Sequence, residues 1–163
     1  MIGRAEFCRE MRRGEEPAVA ALLRAAFGGD DEAKLVEALR KSGAMAGEMV
    51  LPGEEDRILG YYALSAFVRP AGWLCLAPVA IHPELQGQNH GKRMIGQLGA
   101  WARATGNTIV VLGQPEFYAK CGFSVERAAR LTSPYPVTHT LLIGPGEDAP
   151  AETLVYPKAF GPV

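Results

Sequence analysis

Two runs of this chain, Trp73–Ile81 and Thr108–Gly113, are apolar almost without a break. A strand that reads apolar on both faces belongs in the middle of a sheet whose two faces are both covered. Between the runs, Met94, Ile95, Leu98, Trp101, Ala102 and Thr105 recur near a period of 3.6. That spacing predicts a helix from about His90 to Thr105, with Gly106 at its C-terminus. Strand, helix and strand in this order predict one parallel crossover. Pro78 lies inside the first run and has no N–H for a ladder bond, so a bulge or local gap in pairing is expected near it.

The segment joining strand to helix is His82-Pro83-Glu84-Leu85-Gln86-Gly87-Gln88-Asn89-His90-Gly91-Lys92-Arg93. The first N–H groups of the helix lack intrahelical partners and point into this turn, where the helix dipole adds positive potential. Such a turn suits an anion, best a phosphate or pyrophosphate.

Upstream, Ala5–Met11 alternates weakly and reads as a first strand. Pro17–Phe27 places Val19, Leu22, Leu23 and Ala26 on one helical stripe, and Gly28-Gly29 breaks it. Asp30 or Asp31 is expected to cap a second helix, with Leu35, Val36 and Leu39 inward and Gly43 as its stop. Ala44–Leu51 and Ile58–Val68 read as strands around the polar turn Pro52–Asp56. Downstream, Pro115–Cys121 is a short helix ended by Gly122, and Thr138–Ile143 and Thr153–Tyr156 are strand-like. Three consecutive strands before the crossover predict an antiparallel portion. The expected architecture is α/β (α+β): a mixed central sheet of about six to seven strands, with helices on both faces.

At 163 residues, 48% of them apolar, the chain is expected to form a single domain, residues 1–163, with a real core. A net charge of −1 supplies no bulk field for nucleic acid. The cysteines Cys8, Cys75 and Cys121 are odd in number and widely spaced, which supports neither a disulfide framework nor a zinc site. With no apolar leader and no run long enough to span a membrane, a cytoplasmic protein is expected, with no metal, nucleic-acid or membrane partner.

The stretch Val79–Gly91 resembles the acetyl-CoA-binding motif of the GNAT N-acetyltransferase superfamily, Arg or Gln, two residues, Gly, one residue, then Gly or Ala. Gln86 and Gly91 fill its first and last places, and Asn89 stands where glycine is usual. Leu112–Phe123 resembles the family's strand–helix segment ending in Tyr-x-x-x-Gly-Phe, here Tyr118 to Phe123. Tyr156-Pro157-Lys158-Ala159-Phe160 resembles the tail of a predicted bacterial subgroup. The resemblance implies the acyl-CoA N-acyltransferase fold, splayed at its central parallel pair. It implies acetyl-CoA as cosubstrate, with pyrophosphate held by Gln86, Gly87, Gln88, Asn89, His90, Gly91 and Lys92. Pantetheine would pair with the backbone of Val79, Ala80 and Ile81 like an added strand. If position 89 requires positive φ, Asn is the best choice after Gly.

The resemblance also implies attack of an amine on the thioester, with Tyr118 giving a proton to the departing thiolate. The plain alternative for Tyr118 is a tyrosine packed on the sheet. The family often carries a basic glutamate on the central strand; Trp73–Ala77 has no carboxylate, and His82, Glu84, His90 and Glu116 all stay open as bases. Cys75 and Cys121 read as small apolar fillers. Trp73, Phe67, Tyr61 and Tyr62 read as core or sheet-face residues, one or two of them lining an acceptor pocket. The acidic run Asp30–Glu32 reads as a solvated turn and cap. The expected function is therefore an N-acetyltransferase acting on a primary amine of a small molecule or peptide. The alternative is a non-catalytic acyl-CoA-binding module of the same fold. An unrelated nucleotide-binding domain fits poorly, because neither G-x-x-x-x-G-K-[ST] nor G-x-G-x-x-G occurs. An exposed C-terminal strand edge would allow a homodimer.

Overall fold

The computed structural model describes residues 7–161. Its elements are β1 (Arg9–Glu10), α1 (Glu16–Phe27), α2 (Asp31–Ser42), β2 (Met45–Pro52), β3 (Ile58–Ala66), β4 (Leu74–Ile81), α3 (His90–Thr105), β5 (Ile109–Leu112), α4 (Pro115–Lys120), α5 (Val125–Ala128) and β6 (Thr140–Ile143). The strands form one six-stranded sheet in sequence order. Every neighbouring pair is antiparallel except β4 and β5, which are parallel around the α3 crossover.

Strand alternation sorts the apolar side chains onto two faces. Tyr62 and Leu64 of β3, Ile109 and Val111 of β5, and Leu141 and Ile143 of β6 pack with Met94, Ile95, Leu98 and Ala102 of α3 and with Tyr118 of α4. Tyr61 and Ala63 turn the other way, onto Val19, Leu22 and Leu23 of α1 and Val36 of α2. Cys75, Val110 and Leu142 join Phe67, Ala128, Leu131 and Leu154 in a third cluster beneath α5 and the C-terminal segment. The core thus has helices on both faces, as the two apolar runs require.

Three expectations need correction. Thr153–Tyr156 is not a strand: Thr153 bridges Thr132 in parallel, Val155 bridges Arg69 antiparallel, and two unrelated partners cannot build one ladder. Asp30 holds the cap position of α2 but makes no capping bond; its carboxylate accepts from Arg24 Nε at 2.7 Å and ties the end of α1 instead. The first strand is only Arg9–Glu10, and residues 5 and 6 of the expected run lie outside the described residues. The short helix α5 was not expected. The Ser124 hydroxyl accepts from Arg127 N at 3.1 Å, and a serine three residues ahead of an arginine in a polar segment is a weak signal.

Glu15 secures the start of α1. It accepts from Arg9 Nη1 and Nη2 at 2.9 and 2.8 Å and from Arg12 N at 2.7 Å. The Arg9 guanidinium, more than any other contact, lowers its pKa from 4.5 to about 2. Because the folded value is depressed, the stabilisation is complete above the unfolded value and disappears as pH falls through the folded one. Glu15→Gln should cost about 1 kcal/mol at neutral pH. In urea unfolding followed across pH, that deficit should hold above pH 4.5 and close towards pH 2.

Candidate functional site

The site begins where the parallel pair ends. β4 and β5 pair at Leu74↔Ile109, Cys75↔Val110 and Leu76↔Val111, and no further. On its other side β4 continues along β3 to Gly60↔Ile81. There Tyr62 faces Val79 and Leu64 faces Leu76, so Ala77 and Pro78 together oppose the single residue Ala63. This is the bulge expected at Pro78. Beyond it, β4 keeps its β3 partner and loses its β5 partner, so the sheet opens between the two strands.

The open edge carries specific groups. His82 N donates to Leu59 O at 2.8 Å, across to β3. Backbone groups alternate sides along a strand, so the N–H and C=O of Val79 and Ile81 face the opening. The Ile81 carbonyl accepts from Gln86 Nε2 at 3.0 Å. Val79 keeps both groups, and Ile81 its N–H, directed at the gap.

Above the gap is the turn into α3. Pro83–Leu85 forms one turn of 3-10 helix, capped by His82 Nδ1, which accepts from Glu84 N at 3.2 Å. Gln88 Nε2 donates to Glu84 O at 3.2 Å. Asn89 adopts φ 65° and ψ 10°, the left-handed conformation, so position 89 does require positive φ. The first main-chain bond of α3 runs from Arg93 N to Asn89 O at 3.0 Å. The amides of His90, Gly91 and Lys92 therefore lie in the first turn, before any intrahelical acceptor is available. Gly91 is where α3 meets α4: a Cβ there would sit 3.3 Å from Phe117 Cζ and 3.6 Å from Ile81 Cγ1. No larger residue fits without moving Phe117.

Tyr118 is buried beside this junction. Its ring meets Phe117 edge-on at 4.9 Å and Phe123 at 5.9 Å. It also lies across Gly113, where an added Cβ would come within 2.5 Å of Tyr118 Cε2. Val79, Ile81 and Phe117 pack on the same apolar cluster as Tyr118. Burial, with a smaller contribution from Cys121, pushes the Tyr118 phenol up to about 12. It is protonated at neutral pH, so its O–H can donate.

The structure separates the remaining candidates. Gln86 and Gln88 spend their side chains bracing the turn, leaving their backbones to any ligand. Gln88, His90 and Arg93 line a broad polar cavity of about 1210 Å³ that also takes in Arg12, Glu15 and Arg57. Tyr118 is not part of its wall. His90 Nδ1 lies 3.0 Å from the Arg93 guanidinium, which has only donors, so Nδ1 is the acceptor. Lys92 is exposed at the start of α3. Of the open bases, Glu84 and Glu116 are exposed on the turn and on α4, and His82 is occupied as a cap. Burial raises the Cys75 thiol to about 12, and it raises Cys121 as well, so both stay protonated and behave as fillers. No group of three or more His, Cys, Asp or Glu side chains able to hold a metal occurs among the described residues, and none of their helices is long and apolar enough to cross a membrane.

Comparison with known proteins covers the same ground. Residues 47–125 match the acetyltransferase (GNAT) domain family. The uncharacterized N-acetyltransferase YhbS of Escherichia coli K12 is 30% identical over 131 residues, spanning 77% of this chain and 78% of that protein. The crystal structure of YhbS from Escherichia coli in complex with CoA superposes with a TM-score of 0.81 at 25% identity, covering 96% of this chain and 92% of that one. A GNAT family acetyltransferase from Brucella melitensis in complex with acetyl-CoA gives 0.78 at 25% identity, over 95% and 97%.

The left-handed backbone at position 89 makes a direct prediction. Asn89→Gly should stay within about 1 kcal/mol of the parent in urea unfolding. Asn89→Val should lose about 1–2 kcal/mol, because a β-branched residue resists this conformation.

Proposed function

The chain belongs to the GNAT family of acetyltransferases, and from that premise we propose that it moves the acetyl group of acetyl-CoA to a primary amine by direct attack on the thioester. One observation carries the reading. The parallel pairing stops at Leu76↔Val111, while β4 runs on to Ile81 beside the N-terminus of α3 with its edge towards β5 unpaired. Pantetheine has amides of its own and pairs there with Val79 and Ile81, as an added strand would. The pyrophosphate rests on the turn 86–91 and the first amides of α3, with Lys92 adding charge. Ala80 contributes only spacing: its side chain packs with α1 and α2, and its main-chain groups belong to β3.

The amine nitrogen attacks the thioester carbonyl and forms a C–N bond. The tetrahedral intermediate then collapses, breaks the C–S bond and expels the CoA thiolate. Tyr118 O–H protonates that sulfur, and the proton lost by the amine replaces it through solvent. The Tyr118 phenol carries its proton at neutral pH, as this step requires. β4 from Leu74 to Ile81 has no carboxylate, so an acceptor amine already neutral, or a water, serves where a strand glutamate otherwise would.

Acetyl-CoA and CoA should each raise the melting temperature of the full chain, and ATP should raise it less. With an accepted amine in hand, Tyr118→Phe should lower kcat about 10²-fold with little change in KM for acetyl-CoA. A folded protein unmoved by either CoA species overturns the proposal. Full kcat in Tyr118→Phe removes Tyr118 from it.

A further inference from the structure

On the α3 face, away from the open edge of β4, is a second chamber of about 520 Å³ that the acetyl-transfer reading does not use. It lies between β1–β3, the start of β4 and the middle of α3. Tyr62, Met49, Met94, Leu98 and Trp101 form most of its wall, and Glu10 stands at its rim. The volume and the mainly apolar, aromatic lining are those of a small-molecule pocket.

Register explains the arrangement. Glu10 faces Met49 and Met49 faces Tyr62, so these three side chains form one row across β1, β2 and β3 on the α3 face. Neighbouring strands are about 4.8 Å apart, which puts the Glu10 and Tyr62 backbones roughly 10 Å apart. Tyr62 is 5% exposed, yet its hydroxyl has no hydrogen-bond partner among the described residues. The hydroxyl is not one of the fully buried atoms left without a partner, which among the described residues are Ser65 Oγ and Tyr156 Oη, so its oxygen is open to the chamber and can accept a further hydrogen bond. At the other end of the row, the Glu10 carboxylate makes no ion pair among the described residues. Among the described residues, no Lys, Arg or His lines the chamber. Its other carboxylate, Glu48, is held by Arg40 Nη2 at 2.7 Å and Tyr61 O–H at 2.6 Å, on the α2 face. Trp101, 43% exposed, also lines the chamber.

We propose that this chamber binds an amphipathic amine, with the apolar body between Met49, Met94 and Leu98 and the ammonium in the row from Tyr62 to Glu10. Aromatic faces and thioethers accept the body, and the ammonium donates to the Tyr62 oxygen under the pull of Glu10. An anion would meet only a carboxylate and ring faces. The site is independent of CoA.

The experiment titrates the full chain, without CoA, with 4-phenylbutylamine, 4-phenylbutanol and 4-phenylbutyrate, which share one apolar body. Calorimetry should show saturable binding of the amine, about threefold weaker binding of the alcohol, and weaker binding still of the carboxylate. Glu10→Gln, an exposed change that leaves the fold alone, should bring the amine to the level of the alcohol. The chain has two tryptophans, Trp73 and Trp101, and the amine-induced change in emission should vanish in Trp101→Phe. No saturable amine binding, a carboxylate that binds as tightly as the amine, indifference to Glu10→Gln, or an emission change that survives Trp101→Phe each overturns the proposal.

Discussion

One extra residue in β4 governs the molecule. Before the bulge, Leu74 and Leu76 point to the α3 face and Cys75 and Ala77 to the other. After it, Val79 and Ile81 point to α3 and Ala80 to α1 and α2. The inward set thus passes from even to odd positions at Ala77–Pro78. A regular strand would have carried Val79 and Ile81 to the wrong face, since a shift of one residue exchanges the faces. The bulge keeps apolar side chains inside on both halves of β4 while bending the strand away from β5. Packing and the opening of the sheet are therefore one event, and every group directed at the opening owes its direction to it.

The helices fix what the bulge opens. α3 crosses from β4 to β5 and holds both to a common cluster, so the parallel rungs at Leu74, Leu76 and their partners stay closed. Its N-terminus packs through Gly91 against Phe117, which in turn meets Tyr118 edge-on. A main-chain anion cradle and a buried proton donor thus share one apolar support. At both junctions a larger residue would have to displace an aromatic ring, Phe117 at Gly91 and Tyr118 at Gly113.

Much of the fold was legible because its signals are local. The α3 boundaries, His90 to Thr105, follow from the period of Met94, Ile95, Leu98 and Ala102, and the bulge from the missing N–H of Pro78. The misreadings were about partners. Thr153–Tyr156 has strand composition, yet Thr132 and Arg69 claim its ends separately. Asp30 has the right residue type for a cap, but Arg24 holds its carboxylate. The side-chain amides of Gln86 and Gln88 close the turn, which leaves their main chain for a ligand. Side-chain polarity names a group able to bond and does not say to what.

The family resemblance supplied Tyr118 and the conditional reading of Asn89; from residues alone came the crossover and the anion-binding turn. These depend on spacing, backbone sterics and helix-end chemistry, all of which act within a few residues. Tertiary structure decided the rest. It ended the β4–β5 ladder at Leu76, buried Tyr118 beside Phe117 and Phe123, and set Glu10, Met49 and Tyr62 in one row. Those outcomes require strands distant in the chain to choose a register, and register is set by the faces the whole core must bury.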